Sequence, residues 1–211
     1  MISLKTVKAG SEPRTVTDRS FGSGISGDRE QVLYDLSEAG KLLVTRKVGR
    51  AVLAELSEAL GDLPKGGVLY VDTREVDFLD YSFADEALGT LVSRLASGEF
   101  KDRYLVLVEE ERDLLENIEA SLQQRKLAVF RVDEPGEEPE LLGEVPEHLI
   151  DTLRLIQAAG SITNADLAAR LERNHTAVNN RVSRLAKLGL IHRRVQTAAP
   201  SGRQYISEKV V

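Results

Sequence analysis

The chain has 211 residues, of which 42% are hydrophobic and 29% charged, and it contains no cysteine. These values are typical of a soluble globular protein that is long enough for two small cores. The lack of cysteine excludes disulfides, thiolate nucleophiles and cysteine zinc sites, and three histidines far apart in the sequence argue against a metal cluster. No apolar run approaches the roughly 18 residues of a membrane span, and the first residues lack a secretory signal. We therefore expect a cytoplasmic protein without a cofactor.

The net charge of −6 is distributed unevenly along the chain. Residues 146–211 contain ten Lys/Arg and five Asp/Glu, which gives +5, whereas residues 1–145 contain 18 basic and 29 acidic residues, which gives −11. From Arg173 onward there are eight basic residues and one acidic residue, Glu208. An acidic body with a basic end predicts that only the end faces a polyanion.

The first 40 residues are expected to add one or two edge strands and a helix near 31–39. Within them, the glycines of 22–27 match the spacing of a dinucleotide-binding fingerprint. The segment before these glycines is polar and does not predict the strand that such a fingerprint requires. We therefore expect a flexible or anion-binding loop there rather than a nucleotide site.

Strand-like and helix-like patterns alternate over the next 90 residues. Short apolar runs predict strands at 42–45, 68–71, 104–108 and 127–130, and apolar residues at helical spacing predict helices at 46–60, 83–95 and 114–122. This alternation predicts an α/β domain in which helices cover a mixed, largely parallel sheet.

The segment Asp80-Tyr-Ser-Phe-Ala-Asp-Glu86 follows a predicted strand and turn, at the expected start of a helix. On this segment, residues 40–131 resemble the STAS domain, the fold of anti-sigma-factor antagonists and sulfate-transporter tails. The resemblance is closest to a STAS-like branch of unknown function that is marked by Ser-Phe-Ala-Asp-Glu. It implies that Ser82 matches the serine that an anti-sigma kinase phosphorylates in the phosphorylatable members.

Ser82 therefore has two interpretations, a regulatory phosphosite and a helix N-cap. A phosphate is favoured at a helix N-terminus, but Phe83 replaces the glycine of the phosphorylatable relatives, and Asp85 and Glu86 oppose a further anion. As an N-cap, Ser82 would accept a backbone hydrogen bond, and Asp85 would complete a capping box. The local acids favour the N-cap interpretation.

The stretch 133–140 holds two prolines, a glycine and five acidic residues. Mutual repulsion and the backbone restrictions of proline disfavour a helix or a strand in this stretch. We predict an interdomain linker over 133–146, between a first domain at 1–132 and a second domain at 147–211.

The second domain contains three predicted helices and a hairpin. The first helix has its apolar stripe at 149–156 and stops at Gly160. The second is capped by Thr163, and Asp166 at its third position completes a capping box. The third is capped by Asn174 and ends at Gly189. Strand-like segments at 190–195 and 203–206 flank a polar turn and predict a β-hairpin.

The third helix has one apolar and one polar face. At 100° per residue, its core-facing residues are Val178, Val182 and Leu185. The opposite face carries Thr176, Asn180, Ser183, Arg184 and Lys187, with Asn179 on the flank. This face has no acidic residue, which suits the major groove, where Asn pairs with adenine and Arg with guanine or phosphate.

Residues 149–206 resemble the winged helix-turn-helix domains of bacterial regulators. The resemblance rests on Ile162-Thr-Asn-Ala-Asp-Leu-Ala, on the third helix from His175, and on Leu188-Gly-Leu-Ile-His-Arg. It implies that positions matching Thr176, Asn179, Asn180 and Arg184 read or clamp DNA, while basic residues of the hairpin reach phosphates or the minor groove. The predicted DNA-contacting residues are His175, Thr176, Asn179, Asn180, Ser183, Arg184, Lys187, Arg193, Arg194 and Arg203.

The sequence thus predicts a DNA-binding transcription regulator whose STAS-like domain senses a ligand or a partner protein. The alternative is an interaction protein like an anti-sigma antagonist, with the winged helix as an accessory surface. No catalytic triad or convincing acid pair is present, so an enzyme is disfavoured. A homodimer on a palindromic operator is expected, with Leu149 and Leu155 as candidate contacts.

Overall fold

The computed structural model describes residues 4–7, 14–15, 29–198 and 202–211, with side chains described for 29–196 and 204–211. The chain divides into two compact units, one extending to Glu144 and the other spanning Val145–Val210. Each unit has its own core. The glycine-containing loop at 22–27 lies outside the described residues.

The first unit is built on a seven-stranded sheet and a separate two-stranded one. The described strands are β1 (Leu4–Val7), β2 (Arg14–Thr15), β3 (Gln31–Asp35), β4 (Leu42–Leu43), β5 (Val68–Asp72), β6 (Phe78–Leu79), β7 (Tyr104–Val108), β8 (Ala128–Val132) and β9 (Glu140–Gly143). The large sheet has the order β2-β1-β3-β5-β7-β8-β9. Its five inner strands are parallel, and β2 and β9 are antiparallel edges. The sheet is therefore mixed and largely parallel, as the sequence predicts.

The helices of the first unit pack against one another at points where glycine permits close approach. They are α1 (Thr45–Asp62), α2 (Tyr81–Ala84), which continues through a π-helical turn (Asp85–Gly89) into α3 (Thr90–Ser97), and α4 (Arg112–Gln124). A Cβ at Gly89 would lie 2.2 Å from the Ser121 Oγ of α4, and a Cβ at Gly49 of α1 would lie 3.0 Å from the Glu86 Cβ. Only glycine lets α1 and α4 pack this closely against the π turn.

Residues 31–39 do not form the predicted helix. Gln31–Asp35 form β3, an inner strand between β1 and β5, and Leu36–Ala39 form a short 3-10 turn. Val32 and Tyr34 are buried on one face of this strand, and Tyr34 Oη donates a hydrogen bond to Glu55 of α1 at 2.6 Å. Alternating burial in the middle of a sheet thus outweighs a weak helical pattern.

The predicted linker at 133–146 is wrong over its second half. Glu140–Gly143 form β9, which pairs with β8 as an edge strand. The buried guanidinium of Arg131 on β8 contacts the carboxylates of both Asp133 and Glu140, with an N–O distance of 2.8 Å to Glu140. This counter-ion removes the repulsion on which the linker prediction depended, and the proline-containing stretch is a turn between paired strands.

The second unit is a three-helix domain with a three-stranded antiparallel sheet. Its elements are α5 (Glu147–Ala159), β10 (Ser161–Thr163), α6 (Asn164–Leu171), α7 (His175–Lys187), β11 (Ile191–Ala198) and β12 (Gly202–Lys209), with sheet order β10-β12-β11. Its buried apolar residues include Leu149, Leu153, Ile156, Leu167, Val178, Val182, Leu185, Leu190, Ile191 and Ile206. The strand β10 was not predicted, because three residues before a helix cap carry too short a pattern. Among the residues described here, no helix is both long and apolar enough to cross a membrane.

Candidate nucleic-acid interface

Side chains that cap both helices fix the turn between α6 and α7. Thr163 Oγ1 accepts a hydrogen bond from the Asp166 N–H at 3.1 Å, and Asn174 Oδ1 accepts one from the Ala177 N–H at 2.8 Å. Glu172, with φ of 51°, ends α6 in the left-handed conformation. The structure confirms both predicted caps. They satisfy backbone donors that the first turn of a helix leaves without partners.

The outward face of α7 is polar, basic and free of acids. Val178, Val182 and Leu185 are buried against the core of the unit, as the helical spacing predicts. The exposed residues of α7 are His175, Thr176, Asn180, Arg184 and Lys187, whereas Asn179 and Ser183 are half-buried along one side. In the part of the chain with described side chains, neither Arg184 nor Lys187 forms an ion pair, so both cations face solvent.

The hairpin β11–β12 lies beside this helix and brings one arginine onto it. Arg193 Nη2 donates a hydrogen bond to Asn179 Oδ1 at 2.6 Å, and Nη1 donates one to Ser183 Oγ at 2.9 Å. The guanidinium carbon lies 4.2 Å from the centroid of the Tyr205 ring. Arg193 is thus bonded within the unit rather than extended toward solvent, as a residue reaching for a phosphate would be.

Two other hairpin arginines were predicted to contact DNA. Arg194 Nε donates to Glu208 Oε1 at 2.6 Å across the hairpin. Its charge is therefore partly neutralised, although the side chain is exposed. Arg203 belongs to β12, but its side chain is outside the described residues. Its contribution stays a prediction.

Tyr205 is a candidate interface residue that sequence reasoning missed. It is paired with Val195 across the hairpin, and the two side chains are 41% and 52% exposed. Arg193 is opposite Ser207 in the hairpin register, so Tyr205 is its diagonal neighbour on the same face. The alternation of exposed Tyr205 with buried Ile206 is the signal that could have identified it.

Asp80, and not Ser82, caps the helix that opens the predicted STAS motif. Asp80 Oδ1 accepts a hydrogen bond from the Phe83 N–H at 2.7 Å, and Oδ2 accepts one from the Thr45 N–H at the start of α1 at 3.2 Å. Ser82 occupies the second position of α2 and is half-buried. The N-cap interpretation of Ser82 is therefore wrong. Asp80 is two residues nearer β6 than Ser82 is, and its carboxylate bonds to the first turns of both α1 and α2.

The two acids after Ser82 hold helices together. Asp85 accepts hydrogen bonds from Arg125 at 2.8 Å and Ser121 at 3.1 Å, and Arg46 lies 3.0 Å from it. Burial alone would raise the pKa of Asp85, but the hydrogen bond and charge of Arg125 and the bonds from Ser121 and Arg46 lower it. Glu86 pairs with Arg46 and with another arginine of α1, Arg50, whose hydrogen bond is the main cause of its lowered pKa. Asp85 therefore does not complete a capping box.

The predicted dimer contacts on α5 are not an exposed apolar pair. Leu149 is fully buried in the core of the unit, and Leu155 is only partly exposed. Leu149 precedes Leu153 and Ile156 on the same helical stripe, which places it inside. Dimerisation stays a prediction, and these two leucines do not provide an apolar surface for it.

Comparison with known proteins supports the assignment of the second unit. A family model described as winged helix-turn-helix DNA-binding matches residues 147–192. No curated protein matches the chain. The matched stretch begins with α5 and includes all of α7, but it does not extend to the first unit, for which the STAS-like fold stays a prediction. Residues 147–192 therefore belong to a winged helix-turn-helix DNA-binding domain.

Proposed function

We propose that the protein is a DNA-binding transcription regulator in which α7 enters the major groove and the β11–β12 hairpin lies along the adjacent backbone. One observation carries the proposal. The exposed face of α7 presents an amide, a guanidinium and an ammonium group without any acid, on a helix whose other face is buried. A solvated helix face ordinarily mixes both signs of charge, whereas a polyanion favours one sign.

The exposed groups of α7 suit different parts of a duplex. Thr176 and Lys187 are 11 residues apart, which is about 16 Å of helix at 1.5 Å per residue, so the face extends along the groove. Asn180, near the middle of the helix, can form two hydrogen bonds with one adenine, and Arg184 can bond to guanine or to a phosphate. His175 and Thr176 in the first turn can bond to a phosphate, which the helix dipole also favours.

Selection of duplexes from fragments of the source genome by the full chain, followed by titration, tests this function. We expect one preferred sequence, bound more tightly than random duplex. Asn180→Ala should lower that preference by roughly 1–3 kcal/mol if Asn180 pairs with a base. Glu119→Ala, on α4 of the first unit, is the matched control and should leave binding unchanged. A full chain that selects no sequence and binds no duplex at low salt would contradict the proposal.

We further propose that the first unit is a STAS-like module that receives a regulatory signal from a ligand or a partner protein. Its sheet of parallel strands covered by helices and its Asp80–Glu86 segment support this role. Within the described residues, no group of three or more acidic or histidine side chains could hold a metal ion.

Ser82 is the position at which we propose that this module is modified. Asp80 already caps α2, and the Ser82 hydroxyl makes no hydrogen bond within the described part of the chain. Asp85 and Glu86 are neutralised by arginines, so they oppose an added phosphate less than their sequence positions suggest. Ser82→Asp should change affinity for the selected duplex, whereas Ser82→Ala should not. Equal affinity of both variants and the parent protein would contradict this role.

A further inference from the structure

The contact between Arg193 of the hairpin and Asn179 of α7 fixes which way an amide faces. An arginine side chain has five N–H donors and no acceptor. The side-chain atom of Asn179 that lies 2.6 Å from Arg193 Nη2 must therefore be the oxygen, and the amide nitrogen must point elsewhere. The usual ambiguity between the oxygen and nitrogen of an asparagine does not arise at this position.

Several contacts hold Arg193 in place. Its second terminal nitrogen donates to Ser183, one helical turn after Asn179, and its guanidinium stacks on Tyr205. Its Nε is buried and has no hydrogen-bond partner among the described residues. The side chain therefore bridges β11, β12 and α7 and is not aimed at solvent.

We propose that Arg193 is a positioning residue that makes Asn179 a hydrogen-bond donor toward DNA and fixes the β11–β12 hairpin against α7. This inference rests on the proposed function. It assigns Arg193 a role in reading sequence through Asn179, in place of a direct contact with the phosphate backbone.

The fixed amide has a consequence for base recognition. An asparagine that pairs in two places with adenine uses its oxygen to accept from N6 and its nitrogen to donate to N7. Arg193 takes one of the two lone pairs of the Asn179 oxygen and fixes the orientation of the amide, so this residue presents its nitrogen and selects bases with a major-groove acceptor. Guanine, adenine and thymine offer such acceptors, whereas the major-groove edge of cytosine offers the N4 donor. Asn179 should therefore exclude cytosine at its position.

The neighbouring Asn180 differs in this respect. It is exposed and forms no hydrogen bond through its side chain within the described part of the unit. Both of its amide groups remain available, so it can form the two-point contact with adenine. Two adjacent asparagines thus have different roles, and Arg193 is the cause of the difference.

The test uses the full chain, a library of randomised duplexes and three variants. Asn179→Ala identifies the base position that Asn179 reads. Arg193→Met removes the donor but keeps an unbranched side chain of similar length. Arg184→Met is the matched control, because Arg184 is exposed and unpaired among described residues and is proposed to contact DNA directly. Each protein is measured for base preference and for the dependence of affinity on salt.

We expect cytosine to be disfavoured about tenfold or more at the Asn179 position in the parent protein, in line with the discrimination of a good base contact. Arg193→Met should remove that discrimination while leaving the salt slope unchanged. Arg184→Met should instead reduce the salt slope by about one unit. If Arg193→Met reduces the slope as Arg184→Met does and leaves the base preference intact, Arg193 is a phosphate contact and the inference is overturned.

A second measurement keeps the inference testable without DNA. Melting temperatures of Arg193→Met, Asn179→Ala and the double variant form a mutant cycle. We expect the shift of the double variant to be smaller than the sum of the single shifts. Additive shifts would show that the two residues do not interact and would overturn the inference, whereas a protein that binds no duplex at all would overturn only the proposed function.

Discussion

Asp80 lies at the start of α2 and accepts a hydrogen bond from the backbone N–H of Thr45 at the start of α1, at 3.2 Å. The same carboxylate accepts the Phe83 N–H. One side chain therefore serves two helix starts, at Thr45 and at Tyr81. Thr45 has φ of 77°, an unusual value for a β-branched residue, and its bond to Asp80 stabilises this conformation.

Removing this cap should destabilise the protein more than removing the Ser82 hydroxyl. Asp80→Ala is expected to lower the free energy of unfolding by about 1–2 kcal/mol or more, since an N-cap alone contributes about that much. Ser82→Ala is expected to change it by less than about 0.5 kcal/mol. Urea denaturation measures both variants, and a Ser82→Ala loss as large as that of Asp80→Ala would restore Ser82 as the cap.

The pair formed by Asp85 and Arg125 should make stability depend on pH. The pKa of Asp85 is lowered in the folded protein, so its charged form is stabilised there relative to the unfolded chain, in which an aspartate titrates near about 3.9. This contribution is present above the unfolded pKa and is lost as the pH falls through the folded pKa.

Asp85→Asn should therefore cost about 1.5–3 kcal/mol at neutral pH, the range of a hydrogen bond to a charged group. Its deficit relative to the parent protein should shrink as the pH falls below about 4. Denaturation curves between pH 3 and pH 7 measure the difference. A deficit that does not change with pH would mean that the Asp85 charge contributes nothing.

Two glycines in helical segments should respond oppositely to substitution by alanine. A Cβ at Gly89 would overlap Ser121 Oγ at 2.2 Å and approach Arg125 Nε at 3.0 Å, whereas at Gly61 of α1 no atom lies within 4 Å. Gly89→Ala should destabilise by about 1–3 kcal/mol through overpacking. Gly61→Ala should stabilise by about 0.5–1 kcal/mol through helix propensity. Thermal unfolding measures whether each variant is more or less stable than the parent protein. Equal shifts of the melting temperature in the two variants would contradict the packing described for the π turn.

The ion pair between Arg194 and Glu208 should restrain DNA binding. Glu208→Gln removes the only acid after Arg173 and leaves Arg194 free to approach a phosphate. We expect tighter binding to all duplexes and a steeper dependence on salt, because one more cation meets the backbone. Asp151→Asn, which removes the same charge from exposed α5, is the control and should have a smaller effect. Unchanged affinity of Glu208→Gln would show that Arg194 does not reach DNA.

Much of the fold follows from local patterns, and what does not follow depends on distant partners. Strands β5, β7 and β8 each contain an apolar run between turns, and α7 has a clear apolar stripe, so the local sequence pattern predicts them. The strand β9 follows an acidic turn and begins at Glu140, whose carboxylate pairs with Arg131, nine residues earlier on β8. No local pattern contains that information.

In the candidate interface, too, local pattern predicts some features, and others depend on distant partners. Helical spacing correctly predicts that Asn180, Arg184 and Lys187 are exposed, but Ser183, which it places on the same face, is half-buried. It cannot predict that Arg193 turns back onto Asn179, because this contact depends on how the hairpin packs beside the helix. The sequence also suggested Ser82 as a cap, whereas Asp80 is nearer to the backbone donors of both helices.

The exposed cations of α7, Arg184 and Lys187, are proposed to bind a DNA backbone or its bases. The most direct measurement is the affinity of the full chain for a duplex over a range of salt concentrations, compared with the double variant Arg184→Met/Lys187→Met. We expect the logarithm of the affinity to fall linearly with the logarithm of the salt concentration, and the variant to show a slope smaller by about two units. An affinity that is independent of salt, or a variant with the slope of the parent protein, would contradict this account.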